Sequence, residues 1–126
     1  MKNRVENYLP AALEAVEKII LDGDPNGTVP RPFKGYISSF GAAVIQTGLL
    51  PAIAFYSVKG GAEEERGKVI KAIRYILQTN KVIDDNIESL LKFLVDNKEN
   101  SEYYKDYVMD AATALKLALR TFKIEK

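Results

Sequence analysis

Cysteine and histidine are both absent from the 126 residues, which removes most of the side chains that carry enzyme chemistry. Without cysteine there is no thiol nucleophile, no thiolate zinc site and no disulfide. Without histidine there is no imidazole ligand, and no side chain that ordinarily titrates near neutrality to act as a general base. A long apolar run is missing too: no stretch approaches the ~20 residues that span a bilayer. The first residues, Met1-Lys2-Asn3-Arg4-Val5-Glu6, lack the apolar core of a signal peptide. An excess of one charge is also missing, since 18 basic against 17 acidic residues leave a net charge of +1. Composition alone therefore does not point to nucleic acid. These lacks predict a cytoplasmic protein with no membrane partner, no metal, no cofactor and no catalytic residue.

What is present is enough for one core. With 47% hydrophobic and 28% charged residues, the length suits a single helical domain over residues 1–126, and no staple is needed to hold it. Val5, Leu9, Ala12, Leu13, Val16, Ile19 and Ile20 recur at three- and four-residue steps and predict a first helix from about Lys2 to Asp22. Pro10 either kinks that helix or begins it. Residues 23–32 are dense in glycine, proline, asparagine and aspartate and read as a surface loop. Further helices are expected over about Lys34–Thr47, Leu50–Lys59, Ala62–Asn80, Asp85–Asn97 and Ser101–Phe122. In the fifth, Asp85 with Glu88 three residues on has the form of a capping box. No two-residue alternation of β-branched residues occurs, so the fold class is all-α, a bundle of five to six helices.

The near-neutral balance hides segregated charge. From Arg66 to Lys81 lie Arg66, Lys68, Lys71, Arg74 and Lys81 with no acid, whereas Val82–Asp110 carries eight acids against three lysines. After Ala111, Lys116, Arg120, Lys123 and Lys126 face only Glu125. Solvated helix faces would produce the same pattern.

Several constellations invite a chemical reading and fail. Gly61-Ala62-Glu63-Glu64-Glu65-Arg66-Gly67-Lys68-Val69 departs from a phosphate-binding loop in its glycine spacing, in Val69 where a hydroxyl is needed, and in three glutamates that would repel phosphate. It reads instead as an acidic helix start. Asp84, Asp85 and Glu88 are explained by capping, and Asp106 with Asp110 by a solvated face, more readily than by a metal. Ser38 and Ser39 have no base partner. Among the aromatics, Phe40, Phe55, Phe93 and Phe122 have core spacing, while Phe33, Tyr56, Tyr75 and Tyr103 are the candidates for exposure.

The stretch Ile45-Gln46-Thr47-Gly48-Leu49-Leu50-Pro51-Ala52-Ile53-Ala54-Phe55-Tyr56-Ser57-Val58-Lys59 combines a helix end, a tight reversal at Gly48 and a second apolar helix with proline in its first turn. With Tyr36 and Ser38 ahead of it, this wording resembles the small subunit of type III-B (Cmr) CRISPR RNA-guided effector complexes. The resemblance implies a non-catalytic helical subunit that stacks in several copies along the guide–target groove and helps hold target RNA against guide RNA. Its implied partners are the other Cmr subunits, further copies of itself, and the two RNAs.

Such a role asks for a positive track that ignores sequence, because the guide supplies specificity. The candidates are Lys71 and Arg74, directed away from the apolar stripe of the fourth helix, with Arg66 and Lys68 before them. Lys116, Arg120 and Lys123 follow at i, i+4 and i+7 on the last helix, Arg31 and Lys34 stand at the loop, and Lys59 matches the family's lysine. A small helical adaptor that oligomerises or binds a partner helix, with no nucleic-acid role, remains the alternative reading, and a hydrolase built on the Asp and Glu residues a third.

Overall fold

A computed structural model describes residues 3–57 and 62–126. Among the described residues six α-helices follow one another: α1 Arg4–Ala15, α2 Pro32–Thr47, α3 Leu49–Tyr56, α4 Ala62–Thr79, α5 Leu90–Asp96 and α6 Ser101–Leu119. The last turn of the first helix widens into a π-type turn, Val16–Ile20, and a 3₁₀ turn, Lys98–Asn100, leads into α6. The fold is an all-α bundle. Among the described residues the sole β-type pairing is a parallel bridge between Val29 and Ile124.

α1 runs through Pro10 without ending. Both Pro10 and Glu6 are exposed, so the Glu6 carbonyl that loses its partner at the proline is open to water. α2 begins two residues earlier than expected, with Pro32 in its first turn, where a missing N–H costs nothing. Its inward stripe is Phe33, Ile37, Phe40 and Val44. Phe33, a candidate for exposure, is therefore core, while Ile45, one residue past the stripe, is 72% exposed.

The same phase argument reverses two aromatics on α3. Leu49, Ala52, Ile53 and Tyr56 face inward, so Tyr56 is buried and Phe55 is 61% exposed. The Tyr56 hydroxyl survives burial because it donates to the Tyr36 carbonyl at 2.6 Å. At the reversal between α2 and α3, Gly48 has φ 100° and ψ 163°. Its N–H donates to Val44 and its carbonyl accepts from Ala52, so one residue closes α2 and opens α3. That backbone conformation, extended with positive φ, is not the left-handed helical one in which a glycine usually closes a helix.

α5 is shorter than expected. Asp85 and Glu88 do not cap it; Ser89 does, its hydroxyl accepting from the Lys92 N–H at 3.1 Å. α6 ends at Leu119 rather than Phe122, because the chain turns there to pair Ile124 with Val29.

One core cluster joins all six helices, with Ala12, Val16, Phe40, Ile53, Ile73, Ile76, Leu94 and Leu115 fully buried. α4 runs against α1, since Glu14 meets Tyr75 and Asp22 meets Lys68. α2 runs against α6, since Gly41 lies beside Met109 and Val29 beside Ile124. Arg66 over Tyr36 brings the starts of α2 and α4 together, so α1 and α6 run parallel. No described helix is long and apolar enough to cross a membrane.

Candidate nucleic-acid interface

Those directions bring the ends of α1, α3 and α6 and the starts of α2 and α4 to one end of the bundle. Five contacts tie that end together. The Lys68 ammonium meets Asp22, just past α1, at 3.1 Å. The Arg66 guanidinium lies over Tyr36 of α2 at 5.1 Å and over Phe55 of α3 at 5.4 Å. The Val29–Ile124 bridge joins the residues after α6 to those before α2, and the Arg31 N–H donates to the Glu125 carboxylate at 3.3 Å.

Basic residues far apart in sequence are thereby collected. Arg31 and Lys34 are exposed at the start of α2. Arg66 and Lys68, in the first turns of α4, are half-buried, and Lys71 one turn further is exposed. Lys116 is half-buried in the last turn of α6, and Arg120 and Lys123 follow it exposed. Lys123 stands past the helix, its carbonyl accepting from the Val29 N–H at 2.8 Å. The single helical line expected for Lys116, Arg120 and Lys123 is broken there, and Lys123 is placed near Arg31 instead. Lys59 lies outside the described residues.

Arg74 has an internal task. Its guanidinium donates to the Glu88 carbonyl, while Gln78 donates to the carbonyls of Asp84, Asp85 and Ile87 at 3.1, 3.3 and 2.8 Å. The two α4 side chains thus fasten the loop between α4 and α5, and the expectation that Arg74 serves only solvent or a partner does not hold. Its Nε is buried and has no hydrogen-bond partner among the described residues. Beside it opens a cavity of about 640 Å³, bounded by Ser57, Gly67, Lys68, Lys71, Arg74 and Leu91, with Ile70, Glu88, Ser89 and Leu90 completing its wall.

Glu102 and Asp106, at the start of α6, stand at the opposite end. The turn at Gly48–Pro51 faces Ser101, Glu102 and Lys105 across a small cleft. Asp106, expected on a solvated face, is exposed, but Asp110 is paired with Arg4 at 2.8 Å. Arg4 also lies 4.1 Å over the Tyr107 ring, beside Tyr103 and Tyr104. This cluster escaped the sequence reading because its members are about a hundred residues apart and no local spacing signals them. Of the aromatics proposed for exposure, Tyr103 is exposed and Tyr75 half-buried. Asp85 pairs with Lys81 at 3.0 Å. Among the described residues no three acidic groups gather as a metal site. Burial raises the Tyr56 hydroxyl above its ordinary range, with Arg66 opposing.

Residues 5–119 match the family model described as CRISPR-associated protein (Cas_Cmr5). The chain belongs to the Cmr5 family. That makes it a small subunit of the type III-B Cmr complex, as the wording around Gly48 implied, and family membership implies association with the other Cmr subunits. No curated protein and no solved structure matches it.

Proposed function

We propose that this chain is a non-catalytic subunit that lies along the groove of the Cmr complex in the cytoplasm, next to further copies of itself, and holds target RNA against guide RNA through phosphate contacts at its basic end. The observation that carries this reading is the convergence of Arg31, Lys34, Arg66, Lys68, Lys71, Arg120 and Lys123 from three stretches of sequence onto one end of the bundle. A single basic helix face arises readily from the need for solubility, whereas one surface assembled from three segments gives a strand several phosphates' worth of positive charge.

Lys34 and Lys123 are exposed and make no ion pair among the described residues, so their removal leaves the core untouched. In a reconstituted Cmr complex, Lys34→Ala with Lys123→Ala is expected to weaken target-RNA retention for every target sequence. The log–log salt slope should flatten by roughly 0.7–0.9 for each phosphate that the variant no longer neutralises. A variant complex that assembles normally and keeps the wild-type slope would place the track elsewhere and return the adaptor reading to first place.

A further inference from the structure

We propose that the cavity between α4, the end of α3 and the start of α5 is a nucleotide site, with the phosphate on Lys71, Lys68 and the Arg74 guanidinium and the flat base or sugar against Ile70, Leu90 and Leu91. Its volume of about 640 Å³ falls in the range of small-molecule sites, roughly 300–1,000 Å³. Among the described residues three cations line it against one acidic residue, Glu88. Lys68 shares its charge with the exposed Asp22, whereas Lys71 has no ion pair among the described residues.

Two features have no other account in the fold. The first is the buried Nε of Arg74, unpartnered among the described residues; a donor left unmet in this way is destabilising. An anionic oxygen held by Lys71 would lie on the wall of the cavity that Arg74 also lines. The second is Gly67, inside α4 and on the cavity wall. A glycine inside a helix is destabilising relative to alanine. Packing does not require it, because among the described residues a Cβ there would meet nothing nearer than the Tyr56 carbonyl at 3.8 Å. What the missing side chain does is keep the wall open. Charge at one side and apolar side chains at the other suit a phosphate ester with a planar body better than a bare anion or a neutral ring.

A free nucleotide and a nucleotide unit of an RNA strand present the same chemistry, so the site does not depend on the RNA-holding role. Titration of the full chain with AMP, adenosine, inorganic phosphate and a five-residue oligoribonucleotide, followed by calorimetry and melting temperature, tests it. AMP is expected to bind and raise the melting temperature, with adenosine and inorganic phosphate at least tenfold weaker. Lys71→Ala should cost AMP about tenfold, as expected for one charge-assisted hydrogen bond. Gly67→Leu should abolish binding while leaving the ligand-free chain at least as stable as wild type, which separates blocking from misfolding. Competition of the oligoribonucleotide with AMP would identify the strand as the source, and AMP binding without competition the free nucleotide. Binding of phosphate as tight as AMP, full AMP binding by Gly67→Leu, or no binding by any probe overturns the proposal. None of these results bears on Lys34 and Lys123, which lie outside the cavity.

Discussion

Gly48 sits at φ 100° and ψ 163°, a region of backbone space that essentially only glycine enters. Space is not the constraint, since a Cβ would approach only the Pro51 ring, at 3.6 Å. Gly48→Val is therefore expected to destabilise the chain by about 1–3 kcal/mol through backbone strain, read as a lowered melting temperature, and Gly48→Ala nearly as much. An unchanged melting temperature for both would mean that the reversal relaxes freely. Tyr8 gives a residue-scale pH effect: burial pushes its hydroxyl up to about 12, with Arg4 pulling the other way. Unfolded tyrosine ionises near 10, so the unfolded chain releases this proton first. Tyr8's contribution is complete below about pH 10 and is lost as pH rises through about 12. Melting temperature should fall across that window, and less steeply in Tyr8→Phe. That Gly48 marks a reversal was legible in the sequence, because glycine between two apolar runs has few other uses. Which of Phe55 and Tyr56 is buried was not, since on an eight-residue helix a shift of one position reassigns the face.

The ends of the helices decide how much of each element can be read locally. α4 stops with Lys81 at φ 62°, its N–H donating to Gln78 and the following Val82 N–H to Leu77. That is a glycine-type helix stop built on a lysine. Lys81→Gly should relieve the strained backbone, and its loss of the exposed pair with Asp85 subtracts little. Stabilisation of about 1 kcal/mol is expected in denaturant melts; a loss would show that the lysine's pair outweighs its backbone strain. In α5 the capping box at Asp85 and Glu88 satisfied the local rule and still failed. Arg74 and Gln78 hold the carbonyls of residues 84–88 from outside, and those bonds keep the segment out of the helix until Ser89. Ser89→Ala should accordingly cost about 1 kcal/mol as a lost cap. Periodicity located all six helices, but it could not weigh a side chain ten residues away against a cap two residues away.

At the scale of the whole molecule, the sequence's alternation of basic and acidic segments becomes an axis. Helix directions place Arg31, Lys34, Arg120 and Lys123 at one end, and Glu102 and Asp106, at the start of α6, towards the other. The segregation was legible from charge counts alone. Its axial form was not, because it depends on α1 and α6 running parallel and on the chain returning to Val29 after α6. Two copies aligned along such an axis attract end to end, and opposed charges at the junction fix register more than they add affinity. If copies adjoin in this way within the Cmr complex, charge reversal at either end should loosen the junction and reversal at both should restore it. Glu102→Lys with Asp106→Lys is expected to lower the number of copies retained per reconstituted complex. Lys34→Glu with Lys123→Glu should do the same, and a chain carrying all four changes should recover most of the loss, because like charges no longer meet. Native mass spectrometry counts the copies directly. Equal copy number in all three variants would mean that neighbouring subunits do not meet through their charged ends.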